Sequence, residues 1–171
     1  PTGVTAGFSI GIPTVAVGIC AIANISLGAS ITLPFTGDPL LLAFNFCTRD
    51  NPFMLTISCF GGGGFFKLTT SLEHIVAVEA AFEFGAAMAL NVGVASGSVS
   101  AMGGIYFKSE IAEINGQEAH IVVLTGYLRL NGQLCIISLI TVSLEFYLAF
   151  TANFISKGGK EVVDKLVGEA T

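Results

Sequence analysis

The chain has 171 residues, of which 53% are hydrophobic and only 11% are charged, and its net charge is −5. This composition excludes disorder, which requires low hydrophobicity and abundant charge. It also argues against a nucleic-acid partner, because Arg49 and Arg129 are the only arginines and no basic patch can neutralise phosphates. The length predicts one domain over residues 1–171, which we interpret as a module or fragment of a longer polypeptide.

Residues 24–33 alternate strictly between small polar and apolar side chains. The polar set is Asn24, Ser26, Gly28, Ser30 and Thr32, and the apolar set is Ile25, Leu27, Ala29, Ile31 and Leu33. A period of two places successive side chains on opposite faces of a β-strand. Because the polar face is almost uncharged, we expect a partner surface to cover it.

The segment that precedes this alternation resembles a transmembrane helix in hydropathy alone. Residues 8–28 are long, uncharged and apolar enough for that interpretation. Gly11, Pro13, Gly18 and Asn24 would all interrupt a helix, however, and the residues before Pro13 alternate with a period of two. The pattern therefore predicts two β-strands joined by a turn near Gly18.

Residues 40–47 and 53–60 are predicted to form an antiparallel hairpin whose tip is the polar segment 48–52. Cys47 and Cys59 could face each other across this hairpin, so their pairing stays open. The cysteines lie far apart in the sequence without a CxxC pair, and we expect four free thiols buried as small hydrophobic groups. The full set is Cys20, Cys47, Cys59 and Cys135.

Four consecutive glycines, Gly61, Gly62, Gly63 and Gly64, follow this hairpin. A phosphate-binding loop needs a helix N-terminus directly after its glycines, whereas the next residues are typical of a strand. The run therefore predicts a sharp bend, a bulge or the close approach of another backbone.

The second half of the chain contains the longest alternating segments. Residues 74–90 and 91–104 alternate, and residues 109–118 form a polar turn region with a hairpin turn at residues 115–116. Residues 122–154 alternate throughout, and we place a three-residue hairpin loop at residues 131–133. Residues 161–171 fit either a further strand, which we favour, or a short helix.

The apolar positions of these segments predict one wide hydrophobic surface. Its candidate residues are Phe82, Phe84, Leu128, Leu130, Leu144, Phe146, Leu148 and Phe150.

The sequence supplies few groups for catalysis. His74 and His120 lie near turns, and neither has both a nucleophile and an orienting carboxylate at a favourable position. Glu79 and Glu83 share a strand face but lie about 13 Å apart, farther than the carboxylate pair of a glycosidase. Neither histidine has the spacing from a cysteine that a zinc site needs. We therefore predict no catalytic, cofactor-binding or metal-binding residue, and no cofactor.

Several glycine-rich and aromatic segments resemble a β-rich segment of large uncharacterised microbial proteins. These segments are 52–66 (PFMLTISCFGGGGFF), 83–85 (EFG), 93–97 (GVASG), 103–107 (GGIYF), 125–128 (TGYL) and 143–148 (SLEFYL). The resemblance covers most of the chain from Gly28 onward. It implies a module of a longer polypeptide and carries no activity or functional residue with it.

Together these patterns predict an all-β domain, built from a long twisted antiparallel sheet or sheets of about nine to eleven strands, arranged as a sandwich, groove or barrel. The function that we favour is a non-enzymatic structural or assembly module, which buries its faces against other domains of the parent chain or copies of itself. The alternatives are an apolar groove that binds lipid acyl chains and a transmembrane β-barrel. The sequence does not indicate a compartment.

Overall fold

The computed structural model describes residues 2–91, 95–114, 117–136, 140–157 and 160–171, and it confirms the all-β class. These residues contain twelve strands, slightly more than expected, and no helix. The strands are β1 (Gly3–Ile12), β2 (Val15–Val17), β3 (Cys20–Ala23), β4 (Ile25–Pro34), β5 (Leu41–Phe46), β6 (Phe53–Ile57), β7 (Phe60–Thr70), β8 (Ile75–Asn91), β9 (Ala95–Ile114), β10 (Gln117–Ile136), β11 (Ile140–Lys157) and β12 (Lys160–Ala170).

All the strands belong to one open antiparallel sheet. The order along its main path is β1-β4-β5-β7-β8-β9-β10-β11-β12, so β1 and β12 are the two ends of this path; β2, which pairs with β3, continues the edge beyond β1. From β7 onward each strand pairs with the next one in the chain. β9 and β10 have 20 residues each and are therefore about 65 Å long.

The first four strands form one interrupted hairpin, which confirms the two strands and the turn expected near Gly18. The same register runs from Gly3 opposite Pro34 to Val17 opposite Cys20. Gly18 has a φ of 60° at the tip, and Asn24 has a φ of 58° where β3 gives way to β4. The left-handed backbone at Asn24 lets the apolar side chains of both segments stay on one face.

The hairpin predicted for residues 40–47 and 53–60 is wrong. β5 and β6 do not pair with each other; both pair with β7, with Phe46 opposite Phe66 and Phe53 opposite Gly64. Residues 47–52 therefore all lie opposite the single residue Phe65 and leave the sheet as an excursion. The polar composition that indicated a hairpin tip is equally suited to such a loop.

Cys47 anchors the start of this excursion. It is fully buried and has a φ of 58°. Its Sγ donates to the Asn24 carbonyl (3.3 Å) and accepts the Ser26 N–H (3.4 Å), while Asn45 Nδ2 donates to the Cys47 carbonyl (3.1 Å). These hydrogen bonds fix the start of the excursion to the backbone at the junction between β3 and β4.

All four cysteines are free thiols, but the expectation that all four are buried is wrong. Cys20 and Cys59 are exposed and Cys135 is half-buried. Cys47 and Cys59 do not face each other, because the hairpin that would have joined them does not exist.

The glycine run lies within β7. The register to β8 continues without a shift from Phe60 opposite Ala86 to Thr69 opposite Ala77, so the predicted bulge is absent and the strand does not end there. Of the three interpretations, the close approach of neighbouring backbone is the one observed. A Cβ at Gly62, Gly63 or Gly64 would overlap the carbonyl oxygen of a flanking strand.

Two predicted turn regions are also strand. Residues 131–133 lie inside β10, since the alternation continues through Gly132 from Leu130 to Leu134. β9 continues to Ile114 through the polar residues that suggested a turn, and the turn predicted at residues 115–116 lies outside the described residues. β12 replaces the short C-terminal helix that we considered, because its residues pair with β11.

The sheet has one layer, so the described residues contain almost no core. Their buried apolar side chains are Cys47, Phe65, Ala119, Ala149 and Ala152. The chain exposes 11359 Å² of surface, whereas a compact monomer of this mass exposes about 8,000 Å². About 3,400 Å² of surface is therefore available beyond that of an ordinary globular domain.

Thiol reactivity tests the excursion. We expect Ellman's reagent to modify Cys20 and Cys59 rapidly in the folded protein and Cys47 only after denaturant is added, because Cys47 is fully buried. Mass spectrometry of the labelled peptides measures each site. A Cys47→Ala variant is the control and should lose only the slow component; rapid labelling of Cys47 in native protein would contradict the excursion geometry.

Candidate functional site

The pairing register places most of the apolar side chains of the main strands on one side of the sheet, which we call the apolar face. One row of paired residues runs from Phe82 through Ile105 and Gly126 to Phe150. Another joins Leu128 to Leu148, and a third joins Leu130 to Phe146. No charged residue stands on this face from β1 to β8 within the described residues.

The structure places all eight candidate residues on the apolar face and leaves all eight exposed. The exposed fractions range from 40% at Leu128 and Leu130 to 73% at Leu144. The same face continues onto the first strands, where Phe8 is 63% exposed and Ile10 is 58% exposed. A contiguous exposed apolar surface of this extent is typical of an interaction site.

The glycines of β7 make room for aromatic rings on the apolar face. Gly64 lies between Phe53 and Phe82 in one row of the sheet, and the two rings meet above it with centroids 6.3 Å apart. Phe60 and Phe84 stack beside Gly62, with centroids 6.1 Å apart. The glycine run, which suggested a bend, therefore lies beneath a band of phenylalanine rings. Aromatic side chains cover strand glycines in this way in other β-sheets.

A trough of about 540 Å³ lies farther along the apolar face. Gly97 and Gly132 form its floor, and Met88, Val99, Leu134 and Leu144 stand around it. Its volume is within the range of small-molecule sites.

The opposite side of the sheet, the polar face, carries two tyrosine–glutamate pairs. Tyr106 Oη donates to Glu79 Oε1 at 2.9 Å, and Tyr127 Oη donates to Glu83 Oε2. Burial raises the pKa of both tyrosines, and the hydrogen bond to the glutamate raises it further; the pKa of Tyr127 reaches about 12.

Gly104 makes the second pair possible. It lies between Glu83 and Tyr127 in one row of the sheet, and a Cβ at this position would overlap the Tyr127 ring. The ring therefore crosses β9 above the glycine to reach a carboxylate two strands away.

The excursion lies over the same face. The Arg49 guanidinium stands 5.2 Å from the centre of the Tyr106 ring and 3.4 Å from Glu79 Oε1. Because the Arg49 side chain is 69% exposed, this ion pair contributes little to stability. A cleft of about 490 Å³ lies beside it, lined by Arg49, Met54, Phe65, Glu83, Met102 and Tyr127.

Each histidine hydrogen-bonds to a serine. Ser71 Oγ accepts the His74 N–H at 3.1 Å within the turn before β8, which is a turn-stabilising role. His120 Nε2 lies 2.8 Å from Ser109 Oγ, a partner that sequence reasoning missed because it is on the neighbouring strand. Among the contacts of the described residues, no carboxylate orients the His120 ring, so this pair lacks the third member of a nucleophilic triad.

No cluster of three or more metal-ligating side chains occurs in the described part of the chain. The same residues include no helix that is long and apolar enough to span a membrane. Glu79 and Glu83 share the polar face as predicted, and each bonds a tyrosine.

Comparisons with known proteins found no matching family model, no similar curated protein and no similar solved structure.

Substitution of Gly104 by alanine tests the tyrosine–glutamate pair. We expect Gly104→Ala to displace the Tyr127 ring, destabilise the fold by about 1–3 kcal/mol and return the pKa of Tyr127 from about 12 towards 10. Because the folded-state pKa is raised, the pair contributes stability below pH 10 that is lost as the pH rises towards 12. Ultraviolet difference titration measures the tyrosine ionisation, and thermal melts at pH 8 to 11 measure the stability.

Gly103→Ala is the matched control. A Cβ at Gly103 meets only the Tyr127 carbonyl oxygen, at an ordinary 3.8 Å. We therefore expect this variant to leave the tyrosine titration unchanged. An unaltered titration in Gly104→Ala would show that the ring does not depend on the glycine.

Proposed function

We propose that this chain is a non-enzymatic assembly module whose apolar face is covered by the apolar face of a second copy. The observation that carries the proposal is the exposed apolar face itself, which extends from β1 to β11 and includes the eight exposed Leu and Phe side chains of β8, β10 and β11. Burying apolar surface is the dominant favourable term in most protein associations.

The surface area supports two-layer stacking. The excess of about 3,400 Å² over a compact monomer exceeds the area of about 800 Å² that each partner buries in a standard interface. It also exceeds the roughly 1,000–2,500 Å² that each partner buries in many obligate dimers, whose interfaces resemble a domain core divided in two. Two single-layer sheets stacked through their apolar faces would form the sandwich core that one chain lacks.

The distribution of charge supports the choice of face. Five charged residues alternate along their strands with apolar-face residues and therefore stand on the polar face. They are Lys67, Glu79, Glu83, Lys108 and Arg129. Stacking of the apolar faces therefore leaves these charges in solvent. Stacking of the polar faces would bury them at a large desolvation cost. The register places Glu113 and Glu118 on the apolar face, at the end of β9 and the start of β10, so the proposed contact excludes that end of the face.

Lysines introduced on the apolar face test this proposal. Leu130 and Leu144 are exposed in the single chain, so Leu130→Lys/Leu144→Lys should leave its stability within about 0.5 kcal/mol. We expect wild-type protein to sediment as an assembly and the double variant to raise the dissociation constant by about a hundredfold or more, because two charges would enter an apolar interface. Analytical ultracentrifugation without detergent measures both.

Asn131→Lys/Ser143→Lys is the matched control, since each residue neighbours one of the two leucines and points to the polar face. It should assemble like wild-type protein. Equal sedimentation of the two double variants, or a monomeric wild type, would refute the stacked assembly.

The trough at Gly97 and Gly132 favours a second candidate function, the binding of lipid acyl chains. Its volume and apolar walls suit an acyl chain, which is recognised by contact area rather than by hydrogen bonds. In this alternative, lipid rather than a second copy covers part of the apolar face.

Filling the trough distinguishes the two candidates. A Cβ at Gly132 meets nothing within 4 Å, so the backbone accepts a side chain there, and the ring of Gly132→Phe should fill the trough. If the chain binds lipid, this variant should lower the affinity for a fluorescent fatty acid by about tenfold or more. Gly126→Phe, which has equally open space on the same face outside the trough, is the control and should bind normally. An absence of fatty-acid binding by wild-type protein would eliminate this candidate.

A further inference from the structure

Strand β1 lies at one edge of the sheet and, among the strands that the structure describes, has no neighbour on its outer side. Its register with β4 is complete over ten residues, from Gly3 opposite Pro34 to Ile12 opposite Ile25. Every side chain from Val4 to Ile12 is exposed. β1 is therefore a ten-residue strand that pairs with β4 without a register shift and is accessible along its length.

The hydrogen bond from the Phe35 N–H to the Thr2 carbonyl (2.9 Å) defines which backbone groups point outward. In an antiparallel pair, hydrogen-bonded positions alternate with non-bonded ones. The even residues of β1 therefore bond to β4, and the odd residues direct their N–H and C=O groups away from the sheet. The outward set is Gly3, Thr5, Gly7, Ser9 and Gly11, whose side chains are all small.

The two edges of the sheet differ in their protection against pairing. Soluble proteins guard edge strands with charges, prolines or bulges. The sequence of β12 contains the charged residues Lys160, Glu161, Asp164, Lys165 and Glu169, and the register between β11 and β12 shifts between Asn153 and Phe154. β1 has no charge, no internal proline and no register shift, and Asp38 is the first charged residue of the chain.

We propose that β1 is a strand-addition site at which two copies of this chain pair edge to edge, antiparallel and centred on Gly7. In this register Ser9 of one copy lies opposite Thr5 of the other, and all five outward residues take part in about ten main-chain hydrogen bonds. The period of two places both apolar faces on the same side, where Val4 of one copy meets Ile10 of the other.

The second copy is the preferred occupant because the edge is complementary to itself. Self-pairing of β1 forms a closed dimer with twofold symmetry, whereas pairing of β1 with β12 would form an open filament. The charges and register shift of β12 oppose the filament. The edge pairing rests on the proposed assembly function, in which two such dimers stack through their apolar faces as a tetramer.

Ser9→Pro tests the edge pairing. It removes an outward N–H while leaving every hydrogen bond to β4 in place, and edge strands accept proline at such positions. We expect wild-type protein to be tetrameric by analytical ultracentrifugation and Ser9→Pro to be dimeric, with at least a tenfold weaker edge association. Ser9→Ala, which keeps the N–H, is the control and should stay tetrameric. Ser9→Lys should also give dimers and serves if the proline variant does not fold.

The apolar-face variant separates the two proposals. Leu130→Lys/Leu144→Lys alone should give an edge dimer, and its combination with Ser9→Pro should give a monomer. If folded Ser9→Pro and Ser9→Lys remain tetrameric, the edge proposal is wrong while the face proposal stands. If the leucine variant has no effect and the Ser9 variants dissociate the protein, the face proposal fails instead. A monomeric wild type overturns both.

Discussion

The rest of the structure depends on one constraint: the pairing register keeps the apolar positions of neighbouring strands on the same face of the sheet. Along the main path, most of the apolar residues on this face lie opposite apolar residues or glycines of the neighbouring strand. A slip of one residue at any pair would transfer a whole strand's apolar side chains to the polar face. The left-handed residues Asn24 and Cys47 occur where the chain leaves this pattern, and they restore it on the far side.

A second recurring feature is a glycine that lies between two larger residues on the flanking strands, at the same row of the sheet. Gly64 separates Phe53 from Phe82, Gly104 separates Glu83 from Tyr127, and the missing side chain is the space in which the flanking groups meet. Sequence reasoning correctly included the close approach of a backbone among the meanings of a glycine run. It could not identify the partners, because they come from neighbouring strands that lie between 11 and 23 residues away in the sequence.

The sequence was sufficient for the class of fold and for the composition of each face, because both depend only on a local period of two. It was insufficient for the connections. Residues 131–133 have turn chemistry but stay in β10, where the pairing of Leu130 with Phe146 and Leu134 with Val142 outweighs local turn preference. Residues 48–52 do form a loop, but only the shared partner β7 shows that no hairpin surrounds it. The Ser109–His120 contact was missed for the same reason, since it depends on the register of β9 against β10.

The ladder of long strands from β8 to β12 also bears on how the molecule comes apart. Within this ladder each strand forms its backbone pairing with its neighbours in the chain, so its stability is close to a sum of nearest-neighbour terms, as in a repeat protein; the Tyr127–Glu83 hydrogen bond adds one link between β10 and β8. Among the described strands β12 pairs with β11 alone, so it would detach first under tension at the C-terminus, followed by β11 and β10 in turn. The first half of the chain is connected differently, because β7 pairs with β5, β6 and β8. These four strands would therefore separate together rather than one at a time. Under tension, the strands from β9 to β12 would thus separate in sequence, whereas the strands around β7 would separate in a single cooperative step.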